Sequence, residues 1–295
     1  PNVAAVVPEY LDHLFHGNHH GRGLRKYITV GARAHGALSV SDDDLMSLPV
    51  PLPPDSVSRR EQQKIADCLG SLEDVIAAEN RKLEALRQHK QGLMQQLFPQ
   101  EGETQPRLRF PAFQSAPEWK EQLIDEFAQT TTGNRDTQNK DDEGQYPFFV
   151  RSQSVERINT YAFDGEAVLT SGDGVGVGKN FHYINGRFDF HQRVYCIYDF
   201  QPHVLGRYFY YYFSGHFGPR VWQMSAKNSV DSVRRSMITE MPVPVPDPAE
   251  QELIADCLTS LDNCINAQMS KVDLLRSHKQ GLQQRLFPMI GEEPL

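Results

Sequence analysis

The sequence predicts an α+β protein in which a mixed block of strands and helix alternates with two long helices. Three observations predict it: a gap-free repeat of 39 residues, a 3.5-residue apolar period inside each copy, and short aromatic and β-branched runs between the copies. Composition sets the limits. Of 295 residues, 39% are hydrophobic and 23% charged, with 19 Pro, 21 Gly and 2 Trp, which excludes collagenous, low-complexity and wholly disordered chains. The length suits about two domains. No apolar run approaches the ~20 residues of a membrane span, and Pro1 to Tyr10 lacks the basic-then-apolar profile of a signal peptide. Four Cys without a C-x-x-C pair argue against zinc or thioredoxin-type chemistry and suit reduced thiols in the cytoplasm. A net charge of −8 disfavours a nucleic-acid binder held by bulk charge but leaves room for a local basic face.

The repeat comes first. Residues 61–99 and 250–288 align at a constant offset of 189 with 23 of 39 positions identical, including His89-Lys90-Gln91-Gly92-Leu93 against His278-Lys279-Gln280-Gly281-Leu282. Two unrelated amphipathic helices would share hydrophobicity, not polar identities, so this is a duplication. In the first copy the apolar positions are Ile65, Leu69, Leu72, Ile76, Leu83, Leu86, Leu93 and Leu97. In the second they are Ile254, Leu258, Leu261, Ile265, Val272, Leu275, Leu282 and Leu286. Steps of three and four sustained for about five heptads predict coiled-coil helices, each about 57 Å long at 1.5 Å per residue. Glu79 and Lys90 interrupt the first seam, Gln268 and Lys279 the second. The alternative is that each helix packs on its own domain. The repeated His89 and His278 speak for shared scaffold or docking geometry. Gly92 and Gly281, which cost about 1 kcal/mol relative to Ala inside a helix, suggest close approach of another backbone or subunit.

Alternating prolines precede both helices, at Pro49 to Pro54 and Pro242 to Pro246, and predict stiff extended connectors. Phe98-Pro99 and Phe287-Pro288 close them. Between the helices, Tyr146 to Val150, Ala167 to Thr170, Phe181 to Ile184 and Arg193 to Tyr198 read as strands. Leu205 to Phe217 reads as an aromatic-faced helix. Aligning Pro49 with Pro242 sets residue 1 opposite residue 194, so the counterpart of about 107–193 has no place ahead of the first helix. The expected organisation is 1–54 as the C-terminal remnant of a first domain, 55–100 as the first helix, 107–246 as the complete domain and 247–288 as the second helix. Such a remnant is expected to be mobile or to rest on a neighbour.

These residues resemble the specificity subunit of type I restriction–modification systems. The resemblance rests on the Pro-rich runs followed by Glu61-Gln62…Ile65-Ala66 and Glu250-Gln251…Ile254-Ala255. It rests also on Lys90 to Phe98 and its copy Lys279 to Phe287, and on Arg109-Phe110-Pro111…Phe113…Trp119 as the opening of a recognition domain. It covers nearly the whole chain and departs only in the shortened first domain, which the resemblance makes look truncated. It implies target-recognition domains that each read half of a split site in double-stranded DNA, joined by the two helices in an antiparallel coiled coil. It further implies a non-catalytic chain that docks modification (methyltransferase) and restriction (translocase/endonuclease) subunits. S-adenosylmethionine, ATP and Mg would belong to those partners, and the chain itself would carry no cofactor or metal.

Charge is consistent with this. Residues 144–238 hold 10 Lys and Arg against 7 Asp and Glu, a balance of +3, leaving −11 elsewhere. Candidate DNA contacts are Arg151, Ser152, Gln153, Gly174, Lys179, Asn180, Arg187, His191, Gln192, Arg193, Lys227, Asn228, Arg234 and Arg235, since Arg and Gln read base edges and Lys mostly binds phosphate. Ser171 to Asn180 is glycine-rich, but Asp173 and Asn180 break the P-loop spacing and Val177 breaks the dinucleotide fingerprint. That leaves a loop whose amides approach DNA phosphate, or a plain connection. His13, His16, His19 and His20 lack a spaced Cys or carboxylate partner for a metal. The rival reading of the whole chain is a coiled-coil interaction protein without DNA readout.

Overall fold

In a computed structural model the described residues are 6–17, 42–47, 49–54, 58–100, 102–224 and 232–287. The chain divides into two compact units. The first joins Pro1–Leu86 with Cys264–Leu295, and the second is Arg87–Asn263. The repeats form helices α3 (Ser58–Leu97) and α7 (Pro248–Leu286), so both long helices predicted from the period are present. Each contributes a part to both units.

In the first unit, helix α1 (Pro8–His16) carries Tyr10 and Leu14 into a small core with Val7, Ile65, Ala66, Leu69 and Phe287. A short helix, α2 (Asp42–Met46), precedes the first proline run. Here α3 and α7 run antiparallel, because partners descend along one helix as they rise along the other. Lys279 Nζ donates to Glu73, whereas Gln268 Nε2 donates to Glu79 Oε2 at 2.7 Å and Lys271 Nζ to Glu79 Oε1 at 2.6 Å. Leu83, Ile265 and Val272 are buried, and Leu72, Ile76, Leu86 and Leu275 partly so. Of the polar interruptions of the seam, Glu79 and Gln268 therefore pair with each other across it, while Lys279 pairs with Glu73 beside it. His89 and His278 stand exposed. A Cβ placed on Gly92 or Gly281 would meet nothing within 4 Å, so the close approach expected there does not occur among the described residues.

The second unit is built on a six-stranded sheet in the order β2-β7-β5-β6-β3-β4. Its strands are β2 (Gln129–Thr132), β3 (Tyr146–Phe149), β4 (Val155–Ile158), β5 (Phe163–Ser171), β6 (Phe181–Phe190) and β7 (Val194–Tyr198). All neighbours are antiparallel except β3 and β6. Along β5 alternate side chains enter different cores: Val168 joins Phe209, Phe213 and Phe217, while Ala167 and Leu169 join Phe149, Phe188 and Phe190. Both faces are covered, which explains an unbroken apolar run where a half-exposed strand would alternate. Helix α5 (Gly206–Met224) supplies the aromatic stripe, with Tyr208, Phe209, Tyr211, Tyr212, Phe213 and Phe217 buried. Burying each such ring contributes about 1.5–3 kcal/mol, so the stripe is core and not a base-stacking platform. From the helices, Leu97, Phe98, Ile254, Ala255 and Leu258 complete this core, while Leu261 is half-buried. Lys90 Nζ reaches Asp262 Oδ1.

Two expectations change. The strands over 163–171 and 181–190 outrun the apolar runs that announced them, because Gly165 opposite Gly186 continues the ladder without side chains. The second proline run is not merely a connector. Pro242–Val245 is strand β8, paired antiparallel with β1 (Lys120–Leu123), and its two prolines alternate with Val243 and Val245, which keep their N–H groups. The short helices α4 (Ile124–Phe127) and α6 (Arg235–Thr239) close the domain.

Candidate nucleic-acid interface

Strand β5 ends at Ser171 and the chain returns to β6 through a glycine-rich loop centred on Asp173. Asp173 Oδ1 accepts from Arg151 Nη1 at 3.0 Å, and Oδ2 accepts from Arg193 Nη1 at 2.9 Å. One carboxylate thus aims two guanidinium groups from separate loops. Their side chains remain 46% and 62% exposed, so their remaining donors face solvent.

The loop is pinned from several sides. Gly174 and Gly178 have φ of 75° and 66°, the left-handed region that favours glycine. A Cβ on Gly176 would lie 2.2 Å from Asn180 Nδ2, and one on Gly178 would lie 3.0 Å from the Gly218 Cα of α5. Asn180 Nδ2 donates to the Arg151 carbonyl at 3.0 Å and to Ser171 Oγ at 3.2 Å. Val233 N donates to the Gly172 carbonyl at 2.7 Å, tying in the segment before α6. Held this way, the loop presents Lys179 exposed and Val175 93% exposed.

Arg151, Ser152, Gly174, Lys179, Asn180, His191 and Arg193 therefore come together, with Gln153 exposed beside them in sequence. Two histidines act from beneath. His182 Nε2 lies 3.1 Å from the Ser152 carbonyl, and His191 Nδ1 accepts from Arg193 N at 2.9 Å. Burial lowers the pKa of both; for His191 the nearby Arg151 pushes the same way, against Asp136 and Asp173. They are neutral spacers that shape the loops. Gln192 Nε2 donates to Asp136 Oδ2 at 3.2 Å. Arg234 and Arg235 are exposed at the start of α6. Lys227 and Asn228 lie outside the described residues, as do His19 and His20.

Arg187 stands apart. It pairs with Asp164 at 2.9 Å and lies over the Tyr161 ring at 4.9 Å, six residues along β6 from the loop, about 20 Å at strand rise. Asp164 raises its pKa. Sequence reasoning missed Asp173 as the organiser and Arg135, which pairs with buried Asp189 at 3.2 Å and bridges to His191. His13 and His16 neighbour Glu73 and Asp12 respectively. Among the described residues no group of three His, Cys, Asp or Glu side chains lies close enough to hold a metal ion, and no helix is long and apolar enough to cross a membrane.

Comparison with known proteins converges on one family. Residues 117–272 match the profile described as type I restriction modification DNA specificity domain. The specificity subunit of the type I restriction enzyme EcoDI of Escherichia coli is 30% identical over 177 residues, which cover 59% of this chain and 38% of that protein. A putative type I specificity subunit, MjaX, of Methanocaldococcus jannaschii is 33% identical over 98 residues, 33% of this chain and 21% of its own. The chain thus spans well under half the length of either curated relative. The S subunit of a type I system from M. genitalium superposes with a TM-score of 0.65 at 13% identity, covering 96% of this chain and 73% of that one. A chain from a type I R-M complex gives 0.61 at 19%, covering 97% and 72%. These likenesses establish the fold, and the profile, which spans more than half of the sequence, places this chain in the type I restriction–modification DNA specificity domain family.

Proposed function

We propose that residues 87–263 read one half of a split site in double-stranded DNA on behalf of a type I restriction–modification complex. The observation that carries this is the convergence of Arg151 and Arg193 on Asp173 beside Lys179, on a glycine loop whose backbone is fixed by α5 and Asn180. Guanidinium groups with free donors suit guanine edges or phosphate, and a held loop lets them bind without first being ordered. The chain is the reader and spacer, not the catalyst. Methyltransferase and restriction subunits supply the chemistry and its cofactors, and the helices α3 and α7 set the spacing and offer docking surface, with exposed His89 and His278 and half-buried Gly92 and Gly281 recurring on both.

The test is DNA binding by the chain assembled with its modification subunits. Arg151→Ala and Arg193→Ala are expected to weaken specific binding by about 10- to 100-fold each, from about 1–3 kcal/mol per base contact. Lys179→Ala should reduce the salt dependence by about one phosphate contact. Arg187→Ala should change neither. Loss of binding in Arg187→Ala with retention in the other three would move the interface to the opposite end of the sheet.

A further inference from the structure

The complete unit contains a latch whose receiving half is duplicated. Arg109 Nε and Nη2 donate to Glu250 Oε1 and Oε2 at 2.7 and 2.8 Å, and Trp119 Nε1 donates to Oε2 at 3.2 Å. Directly after Trp119 the chain enters β1 and pairs with β8, where Val243 and Val245 are 0% and 9% exposed. One segment, 109–123, therefore covers both a helix-borne carboxylate and the proline-run strand.

The first unit carries the same seat. Glu61 is the repeat mate of Glu250, and Val50 and Leu52 stand in the proline run where Val243 and Val245 stand in the second. Two hydrogen bonds hold run and helix in the same relation. Gln62 Oε1 accepts from Val7 N at 2.8 Å, as Gln251 Oε1 accepts from Leu205 N at 2.8 Å. Three residues further on, Tyr10 OH donates to the Pro51 carbonyl at 2.8 Å, as Tyr208 OH donates to the Pro244 carbonyl at 2.6 Å. The seat itself differs. Glu61 is exposed, Val50 is 36% exposed and Leu52 44%.

We propose that Val50, Leu52 and Glu61 form a docking surface for a polypeptide segment outside residues 1–295 with the chemistry of 109–123: an arginine, a tryptophan ten residues later, then a short antiparallel strand. A second copy of this chain is the poorer occupant. Its one such segment is committed to its own seat, with the Arg109 and Glu250 side chains 8% and 1% exposed. The inference rests on the internal duplication and is independent of DNA reading.

The probe is a fluorescein-labelled peptide of residues 107–123 added to the full chain, with anisotropy for affinity and hydrogen exchange for location. Saturable one-to-one binding is expected, with new protection over residues 49–63. Glu61→Gln in the chain, or Arg109→Gln in the peptide, is expected to weaken it about tenfold or more, because each removes a charge-assisted bidentate pair. No binding by about 1 mM peptide, a peptide affinity of only about 4 kcal/mol, overturns the proposal. So does affinity indifferent to Glu61→Gln, or protection appearing over 242–251 instead. A concentration-dependent dimer that the peptide dissolves would overturn the committed occupant in favour of a second copy.

Discussion

Tyr10 in the first unit and Tyr208 in the second occupy equivalent places in two copies of one device. Each donates to a proline-run carbonyl, and each ring packs on the phenylalanine that ends a long helix: Tyr10 on Phe287 at 5.1 Å, Tyr208 on Phe98 at 5.6 Å. One turn on, Tyr211 OH donates to Asp262, which also receives Lys90, while His13 lies 3.5 Å from Glu73, which also receives Lys279. Asp262 and Glu73 are repeat mates, as are Lys279 and Lys90. Yet residues 7–16 and 205–214, matched through these bonds, share only the tyrosine and one phenylalanine. Contacts outlast identities. The match also corrects the sequence alignment, because Val7 answers Leu205 and so residue 1 falls opposite 199, not 194. Five more residues separate Tyr10 from Pro51 than Tyr208 from Pro244.

The difference between the copies is what covers them, and the largest test acts there. Arg109→Ala would strand the Glu250 carboxylate, which is 1% exposed. Removing one partner of a buried pair costs about 3–5 kcal/mol, so the second unit should lose much of its stability. Both tryptophans, Trp119 and Trp222, lie in that unit, so their fluorescence in urea reports it alone. Glu61→Ala, at the repeat mate of Glu250 in the first unit, should leave the hydrogen-exchange protection of residues 8–16 where it was. A comparable loss from both would mean that the seats are equally filled.

Leu69 and Leu258 are repeat mates and both 0% exposed, so the same cut can be made in each core. Leu→Ala at such sites costs about 2.7–5 kcal/mol. The sheet and α5 leave the second unit reserve, whereas the cluster around Leu69 has seven buried apolar residues among those described. Leu69→Ala is expected to abolish hydrogen-exchange protection of residues 8–16, while Leu258→Ala leaves β5 and β6 protected. Protection of 8–16 surviving Leu69→Ala would show that α1 is held by more than this core.

How much of this was legible beforehand follows from what each interaction requires. A 3.5-residue period is written locally, so α3, α7 and their polar seam positions could be read directly. The strands β1, β2 and β4 read Lys-Glu-Gln-Leu, Gln-Thr-Thr-Thr and Val-Glu-Arg-Ile. Their partners, not their composition, make them strands, and β8 was obscured by its prolines. The interface was legible in residue type but not in grouping. Arg151, Asp173 and Arg193 meet only because β5 pairs with β7 on one side and with β6, the neighbour of β3, on the other, and Arg187 is indistinguishable from them until the β5–β6 register sends it to the far end.

A smaller effect separates the units by pH. Burial lowers the pKa of His182, His191 and His216, all in the second unit. A histidine kept neutral by folding lets the unfolded chain bind more protons below its ordinary pKa near 6.5. Stability is then full above that pH and is lost as pH falls toward the depressed folded values. The tryptophan-detected transition should move to lower urea between pH 7 and 5. His216→Phe, which keeps the stacking on Tyr212 now at 4.2 Å, should remove part of that slope. An unchanged slope in this variant would assign the acid sensitivity to the other two.

The smallest effect lies at Glu73, where the first unit copies the second with different chemistry. Burial alone would raise the Glu73 pKa, but Lys279 outweighs it, with His13 and His16 assisting, and the net shift is downward. A depressed carboxylate contributes stability that is complete above its ordinary value and disappears as pH falls through the lowered one. Glu73→Gln should therefore flatten the acid limb of the first unit's stability, read as exchange protection of residues 8–16 at low denaturant. The Glu73 side chain is 41% exposed, so solvent screening keeps the change below about 1 kcal/mol, and added salt should shrink it. Lys279→Gln should act in the same direction, because it removes the main cause of the shift. If Glu73→Gln instead cost several kcal/mol, the ion pair would be a buried support and not a surface strap. If it cost nothing at any pH, α1 would be held to α3 by Tyr10, Leu14 and the Val7–Gln62 bond alone, and the echo of Tyr211–Asp262 in His13–Glu73 would be one of position without energy.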